Sequence, residues 1–317
     1  MQRYLYFIVF ISGMTSLAAE FTAERILARV FGTSNLVWSA IIGVILVCLS
    51  IGYYLGGRWA DRSPRYETLF GILAASAFLL GVVPFISSPI LIAAASAFDR
   101  LQLGIVGGAF AAVLALFSVP STLLAMASPF AIRLSLSDAA RAGDVSGRIY
   151  AVSTLGSFLG AVLPSVVLIP LIGTTRTVLL FSGLLLLTAA LGLAAVRGKR
   201  ALPWLGLPLI LAVLASLGGA PLKRTPGQIY ETESAYNYIE VLEVNGYRML
   251  RLNDGQGVHS MYHPDVLFYG GPWEQFLVAP LFNASFSADR IARIAIIGLA
   301  AGTTARQAAT VYPQARV

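Results

Sequence analysis

The 317-residue sequence is poor in charged residues. Asp, Glu, Lys and Arg make up only 12% of it, whereas 57% is hydrophobic. Soluble domains carry about 25% charged residues, so a wholly soluble protein is excluded. The charge is also unevenly distributed, because residues 1–220 contain 7 of the 15 acidic side chains and residues 221–317 contain the other 8. The composition therefore predicts about 220 membrane-embedded residues followed by about 97 soluble ones.

Cysteine is nearly absent, and no cluster of metal-binding residues stands out. The single cysteine, Cys48, lies in an apolar run and has no partner for an internal disulfide. No spacing typical of a metal site occurs, so we expect no metal. The net charge is +7, but most arginines stand at the ends of apolar runs. Membrane topology explains that placement better than a nucleic-acid partner does.

Seven apolar segments are long enough to cross a bilayer, which takes about 20 residues. The N-terminal segment ends without a clean cleavage site, so we interpret it as the first helix and not as a signal peptide. The run 88–98 is too short to cross alone and either re-enters the membrane or extends the third helix past Pro84 and Pro89. Frequent Gly and Ala predict close helix packing. The segments are 4–27, 35–57, 66–86, 103–135, 149–172, 175–196 and 202–219.

Basic residues alternate between the loops. Three loops are rich in Arg and Lys, and the loops between them carry a single Arg each. The pattern predicts an inner-membrane, multi-pass protein with a cytoplasmic N-terminus and the bilayer as its partner. Pro203 and Pro208 leave open whether the last segment crosses, so the side of the soluble region stays open. The basic loops contain Arg58, Arg62 and Arg65; Arg133, Arg141 and Arg148; and Arg197, Lys199 and Arg200.

Three charged residues lie within the first predicted helix. Glu20 and Glu24 are four residues apart and share a face, and Arg25 follows them. Carboxylates in a span are costly and are candidates for function. The alternative is that they lie at the membrane boundary, paired with Arg25 or Arg29. The short motif GRWADR, 57–62, resembles a loop of major-facilitator transporters, which makes a transporter-like protein one alternative.

The soluble region begins with a Pro-containing linker at 221–227 and continues as strands. IEVLEV and YRMLRL alternate in polarity around an Asn-Gly turn, which predicts an antiparallel sheet within 228–265. In the remaining region, 266–317, apolar residues at helical spacing occupy 268–282. ARIAIIG then has the pattern of a buried parallel strand. The predicted fold is a multi-span helical domain, 1–220, followed by a small sheet and the first β-α unit of a Rossmann-like domain.

A glycine-containing turn follows that last strand. Gly298 permits a tight turn, Gly302 permits close approach of a ligand to the backbone, and Thr303 opens a helix whose free N–H groups attract ligand oxygens. Two glycines four residues apart are also found in ordinary strand-to-helix turns, so the motif alone leaves both interpretations open.

The order of these elements resembles the polyamine aminopropyltransferase (spermidine synthase) family, including its membrane-fused members. ESAYNYIEV at 233–241 is similar to the opening strand of the family, LNDGQGVHS at 252–260 to its Leu-Asp-Gly-x-x-Gln loop, and Tyr269 falls at its Tyr-His-Glu stretch. The resemblance implies aminopropyl transfer from decarboxylated S-adenosylmethionine, as substrate, to a diamine such as putrescine. It implies no cofactor and leaves a homodimer as a candidate assembly. The implied ligand-binding residues are Asp254, Gln256 or His259, Tyr269, Gly298, Ala300, Gly302 and Thr303.

The turn departs from the family pattern. Leu299 and Ala300 replace two glycines, and Ala301 replaces the acid that grips a cationic substrate. The resemblance also implies that the catalytic residues lie beyond Val317, so we expect a C-terminally truncated enzyme that does not turn over. The alternative is a non-catalytic membrane protein whose soluble module binds a polyamine or an adenosyl ligand. A third interpretation is a fusion with another methyltransferase-type domain.

Overall fold

The computed structural model describes residues 1–100, 104–136, 138–217, 225–253, 257–282, 287 and 290–317. The chain divides into two compact units. The first comprises Met1–Lys223 together with Glu233–Tyr236, and the second comprises Arg224–Thr232 and Asn237–Val317.

The first unit is helical. A π-helical turn, Pro164–Leu168, joins α6 to α7, and a short 3₁₀ turn, Gly198–Ala201, precedes α8. Its interior is packed with aliphatic and aromatic side chains, and Phe70, Phe117 and Phe130 are fully buried. The helices are α1 (Gln2–Phe31), α2 (Asn35–Arg62), α3 (Tyr66–Arg100), α4 (Gly104–Ala125), α5 (Ala127–Ser135), α6 (Ala142–Leu163), α7 (Ile169–Arg197) and α8 (Leu202–Leu217).

Five stretches of the described residues are long and apolar enough to span a membrane. The third, Tyr66–Ala97, belongs to the long helix α3. The run 88–98 therefore extends the third helix, and Pro84 and Pro89 lie inside it. The fifth, Ala142–Ser216, contains 75 residues and overlaps the last three predicted segments. Five stretches and seven predicted spans differ because the fifth merges successive helices, so the count of seven stays a prediction.

Glycines bring α1 and α6 into very close contact. A Cβ added at Gly13 of α1, or at Gly156 or Gly160 of α6, would lie 2.3, 2.1 or 2.0 Å from a carbonyl oxygen of the facing helix. Real Cβ atoms do not approach oxygen so closely, so only glycine fits at these three positions. The small-residue packing expected from the sequence is therefore present in this pair.

The second unit contains most of a four-stranded sheet in the order β1-β2-β3-β4. β2 pairs with β3 and β3 with β4, both antiparallel. The predicted hairpin is confirmed: Val244 pairs with Tyr247, and the two turn residues, Asn245 and Gly246, have φ of 52° and 83°. Positive φ at both residues is typical of the type I′ turn, whose backbone twist matches that of the two flanking strands. The strands are β1 (Gln228–Glu233), β2 (Tyr238–Val244), β3 (Tyr247–Leu252) and β4 (Val258–Tyr262).

Two short helices follow the sheet. The helical pattern at 268–282 corresponds to α9 (Pro272–Leu277) and a 3₁₀ turn, and α10 (Thr303–Val311) follows the glycine turn. The expected buried strand before that turn is not formed. Only a parallel bridge joins Arg293 to Arg316, and Ile297 is fully exposed. A parallel strand is normally covered on both faces, and nothing among the described residues covers Ile297. The Rossmann-like unit therefore stays a prediction.

Candidate functional site

The glycine turn has an alternating left-handed backbone. Gly298, Ala300 and Gly302 have φ of 91°, 49° and 88°, whereas Leu299 and Ala301 do not share the positive φ. Glycine adopts such angles without strain, but an L-residue pays for the contact between its Cβ and the backbone. The two glycines are thus required by conformation, and Ala300 is strained. Alternating backbone of this kind turns successive N–H groups toward one side.

The turn is fixed to β4 by two hydroxyl groups. Thr303 Oγ1 donates to the carbonyl oxygen of Met261 and accepts from its N–H, both at 2.8 Å. Ser260 Oγ accepts from the Ala301 N–H at 2.8 Å. Both hydroxyl-bearing residues are buried. The Thr303 hydroxyl, which the resemblance assigns to the ligand, is therefore already bonded to the sheet. The N–H of Gly302 is likewise bonded within the turn, to the carbonyl oxygen of Leu299 at 2.9 Å. The backbone of 298–300 is what remains of the turn for a ligand to contact.

The other predicted ligand residues differ in how they are held. His259 is exposed on β4. The Tyr269 hydroxyl donates to Val266 O at 3.0 Å and accepts from the N–H of His263 and from Arg306, each at 3.1 Å. Asp254 and Gln256 lie outside the described residues. Tyr269 therefore orders the loop that precedes α9, and His259 is available at the surface.

Arg306 was not identified from the sequence, yet its side chain connects α10 to the loop at 263–264. Its guanidinium donates to the carbonyl oxygens of His263 at 2.8 Å and Pro264 at 3.2 Å. It also lies 4.7 Å from the centre of the Tyr262 ring, within cation–π range. The only sequence signal was its position in the first turn of α10, three residues after Thr303.

The side chains of Glu274 and Gln307 connect α9 to α10. Gln307 is fully buried and donates to Leu267 O at 2.7 Å and to Glu274 at 2.9 Å. The Glu274 carboxylate also accepts from the N–H groups of Tyr269 at 2.6 Å and Gly271 at 2.8 Å. Partial burial acts to raise the pKa of Glu274, but these donors outweigh it and hold that pKa below its ordinary value.

The charged residues of α1 are not paired as the membrane-boundary alternative expected, and their candidacy for function stays a prediction. Among the described residues, neither Glu20 nor Glu24 forms an ion pair, and Glu24 lines a cavity of about 280 Å³ where α1 meets α2. Arg25 instead donates to the carbonyl oxygen of Ala235. Arg29 pairs with Glu233 at 3.4 Å, and both side chains are buried.

Glu233 reaches the break in α7. Gly173 is non-helical there, with φ 81° and ψ 165°, and Thr174 begins the regular part of the helix. The Glu233 carboxylate accepts from Thr174 N at 2.5 Å and Thr174 Oγ1 at 2.6 Å. Sequence reasoning placed Glu233 on a soluble strand and missed this role, because the pattern gives no sign of the partner.

No group of three or more His, Cys, Asp and Glu capable of holding a metal occurs in the part of the chain that the structure describes.

The chain is 27% identical over 199 residues to polyamine aminopropyltransferase 2 of Aquifex aeolicus (strain VF5). The match covers 63% of this chain and 38% of that protein, so the chain matches well under half of the relative's length. No protein-family model matches the chain, and no solved structure matches it. The similarity supports a relationship to the spermidine synthase family at most.

Proposed function

We propose that this chain carries the membrane domain and the first soluble elements of a spermidine synthase-like aminopropyltransferase. The observation that carries the proposal is the similarity to polyamine aminopropyltransferase 2. The order of sheet, short helix and glycine turn supports it further. In this proposal the chain contributes to binding decarboxylated S-adenosylmethionine, which donates its aminopropyl group to a diamine such as putrescine.

The backbone of the turn is the proposed contact for the adenosyl part of the substrate. Backbone N–H groups at a helix start donate to oxygen and nitrogen acceptors, which the ribose and adenine of that substrate supply. The positive end of a helix does not favour a sulfonium cation, and Ala301 supplies no compensating acid. The turn is therefore suited to bind the neutral nucleoside part of the substrate and not its sulfonium cation.

A binding experiment on the full chain in nanodiscs tests this proposal. Equilibrium dialysis with labelled decarboxylated S-adenosylmethionine should show saturable binding by the unaltered chain. Gly302→Val forces a β-branched residue to φ 88° and should weaken binding about tenfold. Ala309→Val, on the exposed face of the same helix, should leave it unchanged. Absence of binding by the unaltered chain would overturn the proposal.

The same preparation tests turnover. Ala301 stands where the family has the acid that grips a cationic substrate, so little labelled product should form when putrescine is added. Rapid product formation would contradict the importance given to that acid, while leaving the binding proposal intact.

A non-catalytic binding module is the second candidate, and Ala301 is the observation that favours it. In the family turn this position is the acid that grips a cationic substrate. A chain that binds an adenosyl ligand through backbone groups, without that acid, is suited to sensing. Adenosine binding as tight as that of decarboxylated S-adenosylmethionine would favour the sensor, because it shows that the aminopropyl group contributes nothing.

We further propose an inner-membrane location with a cytoplasmic N-terminus, the bilayer as the partner of the helical unit, and a homodimer as the assembly. The apolar helices are compatible with a membrane protein. Chemical labelling of single cysteines placed in the basic loops, from each side of sealed vesicles, tests the orientation. Crosslinking in nanodiscs tests the dimer.

A further inference from the structure

The break in α7 has the properties of an anion-binding site. At Gly173 the helix is interrupted, and the regular segment from Thr174 to Arg197 begins with an N–H that has no partner inside the helix and with a positive dipole end. A buried cation, Arg29, faces the same place, with only 7% of its side chain exposed. A helix start and a desolvated guanidinium together favour one negative group strongly.

The present occupant of this site is a side chain of the protein itself. Glu233 bonds Thr174 through both carboxylate oxygens and has 3% of its side chain exposed. Gly173 makes room for it, since a Cβ there would lie 3.2 Å from a Glu233 oxygen at a backbone angle that favours glycine. The fit between Glu233 and Thr174 is therefore specific.

The fit between Glu233 and Arg29 is incomplete. Arg29 offers a single nitrogen at 3.4 Å, longer than the roughly 2.8 Å of a strong charge-assisted bond. The Arg29 Nε is buried and has no partner among the described residues. A guanidinium binds a carboxylate best through two parallel N–H groups. Glu233 thus accepts the hydrogen bonds of Thr174 but does not bind two parallel N–H groups of the Arg29 guanidinium. Such a compromise is expected of a carboxylate whose position is restrained by its own backbone.

We propose that the break in α7 is a binding site for a small carboxylate, and that Glu233 fills it as a tethered ligand. A free carboxylate has no backbone to restrain it, so it can bond Thr174 and take both N–H groups of Arg29 at once. Binding such a ligand displaces Glu233. The site is independent of the proposed aminopropyl transfer, because it uses no residue of the glycine turn.

Chemical rescue tests the proposal on the full chain in nanodiscs. Glu233→Ala removes the tethered carboxylate and leaves space for acetate. Acetate should raise the thermal unfolding midpoint of this variant in a saturable manner, whereas equal concentrations of chloride and of the neutral isostere acetamide should not. Addition of Arg29→Gln to the variant should abolish the response. Equal effects of acetate and chloride would overturn the proposal.

Two further arms keep the result decisive. If Glu233→Ala is recovered unfolded, it is purified with acetate present throughout; folded protein in acetate but not in chloride supports the site, and equal recovery overturns it. Octanoate, used below its micellar concentration, distinguishes a fatty carboxylate from a small one. A response to octanoate without a response to acetate would overturn the assignment to small carboxylates.

Discussion

Ala300→Gly should stabilise the glycine turn. Ala300 has φ 49°, and a left-handed conformation costs an L-residue roughly 1–2 kcal/mol. Glycine removes that cost, but its unfolded chain has more conformational freedom, which offsets about 0.4–1 kcal/mol. Ala300 is exposed, so no packing is lost. The midpoints of these two ranges differ by a net gain of about 0.8 kcal/mol.

Hydrogen exchange measures this gain locally, without unfolding the membrane domain. A gain of that size slows exchange of the amides in 294–311 about two- to fivefold, when opening limits exchange. The matched control is Ala301→Gly. It makes the same chemical change one residue later, where φ is not positive, so only the added freedom acts and exchange should become about two- to fivefold faster.

The opposite sign of the two effects is the decisive feature. If Ala300→Gly and Ala301→Gly both accelerate exchange, the strain assigned to Ala300 is absent and the reasoning is refuted. Slower exchange in both variants would also refute the reasoning, because replacement of alanine by glycine would then be stabilising even where φ is not positive.

Two further predictions concern the contacts around the turn. Thr303→Val keeps the shape of the side chain but leaves the Met261 N–H and carbonyl without the Thr303 hydroxyl, so local stability should fall by about 1–3 kcal/mol. Thr303→Ser keeps the hydroxyl and should retain most of that stability. Hydrogen exchange at Met261 measures both variants, and equal loss in the two would contradict the role of the hydroxyl. Because the pKa of Glu274 is lowered on folding, its contribution is present above the unfolded-state pKa and is lost as pH falls through the folded-state pKa. Protection of 267–277 should therefore decrease in acid for the unaltered chain, and Glu274→Gln should flatten that pH dependence.

Local patterns in the sequence were sufficient to predict the elements of the sheet and the helices. The Asn-Gly pair fixed the hairpin because few residues adopt positive φ, and continuous apolar runs predicted the long helices. The parallel strand at 292–298 was not formed, because its apolar pattern describes burial by other elements, and the structure places none against Ile297. Local pattern predicts an element only where the partner that buries it is near.

The site was less predictable for a related reason. Gly298 and Gly302 were identified because a turn demands glycine, whereas the positive φ of Ala300 is shown only by the structure. Arg306 and Glu233 were missed because their roles depend on carbonyl groups and helix ends that are distant in sequence. Such contacts leave no periodic signal.

The contact of α1 with α6 restricts how the helical unit can move. Sliding one helix along the other would drive a carbonyl oxygen against the neighbouring residues, which carry the Cβ atoms that Gly13, Gly156 and Gly160 lack. The two helices are therefore held in one register, and we expect any rearrangement of the helical unit to carry both helices together.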